Sequence, residues 1–161
     1  VNDIDNLFNR ITVDPGNVTA WAKWGTDIYP KTGSFTNNRI KTRPLEEQLE
    51  YMWHMFNVLL KKYEKVSTCY IEGVEVWAGS LRSNVASKSG SLTKLTLLIG
   101  GYCRVCQQHG VGFQIILPTK WKGQLNDEMV RQRVFRANGN HYPNPHITDA
   151  VGIGLHFLGE L

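Results

Sequence analysis

The chain has 161 residues, of which 42% are hydrophobic, 20% charged and 11% aromatic. A chain of this length buries roughly 70% of its unfolded surface, so one domain spanning 1–161 is expected, and the aromatic and aliphatic content excludes disorder. The longest apolar stretch, 95–101, is interrupted by glycine and falls far short of the ~18 residues a membrane span needs. The net charge of +4 is unevenly spread: 1–78 sum to −1, 79–136 to +7 and 137–161 to −2. A basic block beside an acidic one reads either as a surface for a polyanion or as an ordinary solvated face. Residues 1–9 are polar and acidic, unlike a secretory signal, and three cysteines are an odd count for a disulfide scaffold. A reducing cytoplasm, with no membrane partner, is the expected setting.

Residues 10–14 read as a short strand, 15–17 (Pro-Gly-Asn) as its turn and 18–24 as the returning strand. A third strand is expected near 34–36, inside a stretch broken by Pro30 and Gly33. The strongest helical pattern is 44–65, with proline at its start and Glu46 and Glu47 in the first turn. Leu45, Leu49, Met52, Trp53, Phe56, Leu60 and Tyr63 mark its buried face, and Tyr51, Met55, Val58 and Leu59 extend the apolar surface around the cylinder. That circumference fits either a deeply buried helix or one that packs against a second copy of the chain.

A strand over 66–71 ends at Glu72-Gly73; a Gly/Ser-rich loop follows at 79–91, then a helix over 92–108 and a strand over 112–117 stopped by Pro118. Asn126 opens a helix to about 136, and a last helix covers 147–158. Two hairpins followed by alternating strands and helices describe an α/β fold, a mixed five-stranded sheet with helices on its faces.

Three acids mark element ends: Asp14 the first strand, Glu72 the fourth, Asp149 the start of the last helix. As parallel neighbours the first and fourth strands set Asp14 and Glu72 side by side, where two carboxylates repel unless protonated or bridged by a cation. Oxygen donors of that kind suit magnesium or manganese, although each acid alone is also a common strand-end or cap carboxylate. His146, three residues before Asp149, shares its helix face at about 5–6 Å between Cβ atoms, as a metal ligand, a proton acceptor or a capping histidine. Trp77, five residues past Glu72, reads as a wedge for unstacked bases or as a core aromatic. Arg82, Lys88 and Lys94 flank the glycine-rich loop, where they would track a phosphate backbone. Cys103 and Cys106 lack the second pair a zinc site needs and are read, with Cys69, as core thiols.

In order along the chain, Val13-Asp14-Pro15-Gly16 with Val18-Thr19, Ile71-Glu72-Gly73, Pro118-Thr119-Lys120-Trp121-Lys122 and His146-Ile147-Thr148-Asp149-Ala150 resemble the RuvC family of Holliday junction resolvases. The resemblance implies a ribonuclease H-like fold and a homodimeric endonuclease of bacterial or phage type. Its activity would be paired symmetric nicking of four-way DNA junctions in recombination and repair. Also implied are two magnesium ions per site (manganese substituting), held by Asp14, Glu72, His146 and Asp149, with no small-molecule cofactor. Lys122 matches a family lysine near the scissile phosphate, and Lys120 lies in the same loop as a further DNA contact. A second family lysine falls on Asp127, which reverses a charge. The alternatives are a related nuclease acting on flaps, other branched DNA or RNA–DNA hybrids, and a non-catalytic branched-DNA-binding protein.

Overall fold

Residues 9–25, 29–75 and 90–161 are described in the structure, a computed structural model. Strands β1 (Arg10–Asp14), β2 (Val18–Trp24), β3 (Lys31–Thr36), β4 (Thr68–Glu72) and β5 (Gly112–Ile116) form one sheet in the order β3-β2-β1-β4-β5. The β1–β2 and β2–β3 pairs are antiparallel and the β1–β4 and β4–β5 pairs parallel. The helices are α1 (Leu45–Lys62), α2 (Ser91–Gln108), the single turn α3 (Pro118–Trp121), α4 (Asp127–Asn138) and α5 (Pro145–Leu158). This is the mixed, helix-flanked sheet that the element order implies.

Alternation along the central strands feeds two cores, because successive side chains point to opposite faces. Ile11, Val13, Cys69 and Ile71 face α1 and α2, where Phe56 and Tyr102 lie fully buried. Ala20, Ala22, Trp24 and Tyr70 face α4 and α5, against Val130, Val134, Val151 and Ile153. Cys69 and Cys106 are buried and unbridged, as core thiols.

Thr12 fixes how closely α5 approaches β1. Its buried hydroxyl donates to the Ala150 carbonyl at 2.6 Å and accepts from Trp24 Nε1 at 2.9 Å. The neighbours in sequence of Thr12 and Ala150 are Val13–Asp14 and Asp149, so this bond brings two of the acids to one end of the sheet. Gly154 permits the same approach further along: a Cβ there would overlap the Trp24 indole, which is 1% exposed and has no room to yield. Gly154→Ala is therefore expected to cost about 1–3 kcal/mol in urea unfolding, the usual penalty for overpacking a filled core. An unchanged midpoint would show that α5 can lift off the sheet freely.

Several boundaries differ from the sequence expectation. β3 is six residues long, not three. β4 begins at Thr68 instead of 66, because 63–65 form a turn that closes α1 early. α5 begins at Pro145, capped by the Asn144 side chain on the His146 N–H at 3.0 Å, so His146 sits in its first turn. Leu45, assigned to the buried face of α1, is 39% exposed, while Leu59 is buried. Pro118 ends β5, as expected, and also starts the turn α3, where its missing N–H is no loss. Among the described residues no helix is long and apolar enough to cross a membrane.

Candidate active site

Five of the sequence-derived residues meet at one end of the sheet. Asp14 closes β1 and Glu72 closes β4, and the parallel register pairing Val13 with Ile71 sets the two carboxylates next to each other on the α5 face. Both approach the first turns of α5. His146 Nδ1 lies 2.8 Å from Asp14 Oδ2, and Asp149 Oδ2 lies 3.2 Å from Lys122 Nζ. Lys122 follows α3 directly and also reaches Glu72 Oε1, at 3.9 Å. One ammonium thus stands between two carboxylates while the imidazole takes the third.

Negative charge is in excess here, and the ionisation equilibria register it. Burial, and then the Asp14 charge, push the Glu72 carboxyl up to about 8, against the opposing pull of Lys122 and of Trp121. Burial also raises Asp149, which Lys122 partly offsets. Desolvation opposes the charge on Lys122, but Asp149 and Glu72 outweigh it and hold the ammonium protonated. His146 is raised, chiefly by its hydrogen bond to Asp14.

The donor types suit a hard divalent cation, since three carboxyl groups supply oxygen donors, beside one imidazole nitrogen, and when ionised carry more negative charge than one lysine balances. The arrangement does not present three donors to one point: among the described residues no metal-holding group of three is formed, because Lys122 occupies the space between Glu72 and Asp149. The side chains fit the charge and chemistry of such an ion, with Lys122 standing in for it.

Two supports were not legible beforehand. Trp121, buried beside α5, donates its indole N–H to Glu72 Oε1 at 2.9 Å, which fixes that carboxylate. Glu75 accepts from the Thr119 hydroxyl at 2.8 Å and from its backbone N–H at 3.2 Å, pinning the turn that carries Lys122. The sequence signal for both was only their nearness to Glu72 and Lys122. Lys120 is exposed on α3. Asp127 opens α4, and its charge helps to raise Lys122. Lys94 lies away from this cluster, on Asn17 and Gln48. Trp77, Arg82 and Lys88 lie outside the described residues.

A mixed sheet of this strand order, with acids closing its two central parallel strands and a helix delivering a third, defines a ribonuclease H-like fold. No family model matches the chain, and no curated protein matches it. Among solved structures the chain is similar to RuvC of Thermus thermophilus. Against RuvC in complex with a Holliday junction substrate, the TM-score is 0.72 at 14% identity, covering 93% of each chain. Against another T. thermophilus RuvC structure it is 0.66 at 15% identity, covering 93% of this chain and 94% of that one. The chain has the RuvC fold.

Proposed function

We propose that the chain is a divalent-metal-dependent endonuclease that resolves four-way DNA junctions by paired, symmetric nicks. The observation that carries this reading is the convergence of Asp14, Glu72 and Asp149 at one sheet end, with Lys122 between Glu72 and Asp149 and His146 on Asp14. A fold shared with a protein seen on a Holliday junction substrate supports the choice of DNA. Asp14, Glu72 and Asp149 would hold two magnesium or manganese ions, with His146 either a fourth ligand or the acceptor of the water's proton. The ions would supply activation of a water and charge stabilisation at the phosphate.

The chain's own residues do the rest. Asp14 Oδ2 favours the His146 tautomer protonated at Nδ1, which leaves Nε2 to accept a proton from water. Trp121 keeps one Glu72 oxygen oriented without adding charge. Lys122, 3.2 Å from Asp149 and 3.9 Å from Glu72, would offer its ammonium to a phosphate oxygen in the transition state. Glu75 and Thr119 hold the turn that aims it. Exposed Lys120 and half-buried Lys94 add phosphate contacts, as do Arg82 and Lys88, and such contacts make affinity fall steeply with salt.

Paired incision needs two such sites in one assembly, and we assign the α1–α2 face to the second copy. Leu97 is 46% exposed there and lines, with Trp53, Gly100, Gly101 and Val105, a groove of about 500 Å³. The chain should sediment as a dimer at micromolar concentration, and Leu97→Glu, which places a charge in that face, should convert it to monomer. A wild-type monomer would remove the basis for paired cutting.

The deciding comparison incubates the chain with Mg²⁺ or Mn²⁺ and, in turn, a synthetic four-way junction, linear duplex, a flap and an RNA–DNA hybrid. Symmetric nicks confined to the junction are expected. Cutting of the flap or hybrid instead changes the substrate and keeps the chemistry; binding without cutting in either metal leaves only a branched-DNA-binding protein.

A further inference from the structure

The turn that follows Asp14 borders a second cavity, on the opposite face of the sheet from the acids. Gly16 and Asn17 line a space of about 500 Å³ between the first turns of α1 and α2. Three residues span at most about 10 Å, so its rim lies within one or two nucleotides of Asp14. The floor is apolar, made by Leu49, Met52, Leu95 and Leu98, and the rim carries Asn17 and Lys94.

That rim is held by a saturated amide. Gln48, 7% exposed, donates from Nε2 to the carbonyls of Lys41 at 3.1 Å and Arg43 at 2.7 Å. Its Oε1 accepts from Lys94 Nζ at 2.6 Å and from Asn37 Nδ2 at 3.1 Å. An amide has two N–H donors and two lone pairs, so Gln48 has none to spare and cannot turn without breaking the set. Lys94 also donates to Asn17 Oδ1 at 3.0 Å. Two of its three donors therefore rest on neutral oxygens, and among the described residues no carboxylate pairs with it. It stands in the first turn of α2, the positive end of the helix dipole, where no acidic residue offsets it. Burial lowers its pKa accordingly. A fixed, uncompensated cation beside an apolar floor complements an anion joined to a flat, weakly polar ring.

We propose that this cavity is a nucleotide subsite, taking one unstacked base of the substrate strand on Leu49, Met52, Leu95 and Leu98 with its phosphate on Lys94. The inference rests on the nuclease reading, because the branch point of a junction is where a strand has bases free to leave the stack. Gln48 is its positioning residue. The cavity volume falls within the range of pockets that enclose a ligand of this size.

Titrating the metal-free full chain with inorganic phosphate and, separately, with a thymidine tetranucleotide tests it by NMR. The tetranucleotide is expected to shift both the Lys94 ammonium and the Met52 and Leu95 methyls, and phosphate to shift Lys94 alone. Leu45→Trp fills the mouth from a position that is 39% exposed, so the fold tolerates it. It should weaken tetranucleotide binding about tenfold, the scale of one lost base contact, and leave the phosphate response intact. Silent methyls, or identical responses to both probes, overturn the subsite. The titration involves no cleavage: a chain that binds in this way but cuts no junction loses only the nuclease reading. A chain that cuts junctions while its methyls stay silent loses only the subsite.

Discussion

Asp14→Asn is expected to reduce junction cleavage by at least about 10³-fold, the scale on which loss of one preorganised electrostatic partner acts, while leaving junction affinity nearly unchanged. The substitution is nearly isosteric, and the asparagine oxygen still accepts from His146 Nδ1, so the imidazole keeps its place. What is lost is one of three carboxyl groups crowded at the ends of β1, β4 and α5. In the proposed reading affinity would rest on lysine and arginine contacts to phosphates, and removing a carboxylate would weaken none of them. Nicking of a labelled junction set against fluorescence anisotropy on the same junction separates the two effects. Preserved cleavage would take Asp14 out of the cation site, and a parallel loss of binding would mean that the site had been disrupted as a whole.

The central strands were readable because their pattern is local. In β1 and β4, apolar side chains on one face alternate with Thr12, Asp14, Tyr70 and Glu72 on the other, and turn residues follow each strand. The juxtaposition of Asp14 with Glu72 then needed only the parallel pairing that the element order demands. β3 was read short because Gly33 looks like a strand breaker. In the sheet it is the residue that lets the Trp21 indole cross: a Cβ at 33 would lie 2.5 Å from Trp21 Cζ2. That requirement comes from the neighbouring strand and has no trace in the local sequence.

The same distinction divides the site. The acids and Lys122 lie in short motifs of recognisable order, so they could be named. Trp121 looks like one more core aromatic, and its bond to Glu72 spans 49 residues of chain. Gln48 sits on an apolar helix face where a polar residue reads as a break in the pattern. Its meaning emerges only when Asn37, Lys94 and the 41–43 turn close around it.

Glu72→Gln should act in opposite directions on activity and on stability. A carboxyl of this kind ordinarily ionises near 4.5; in the folded, metal-free chain burial and Asp14 push Glu72 up to about 8. The folded state thus keeps a proton that the unfolded chain has already lost. Stability from this group is therefore highest below about 4.5, declines as pH rises toward 8 and changes no further above that. Glutamine cannot ionise, yet it still accepts from Trp121, so the variant escapes the decline. In chelator at pH 8 it should melt several degrees above wild type, equivalent to on the order of 2 kcal/mol, and the two should melt together near pH 4.5. Adding Mg²⁺ or Mn²⁺ should raise the wild-type Tm by mass action and move the variant much less, while the variant's cleavage falls by at least about 10²-fold. A variant that melts below wild type at pH 8 would mean that the Glu72 charge is already balanced by Lys122 alone. The cluster would then have no excess negative charge to draw a second cation, and the site would be a structural ion pair.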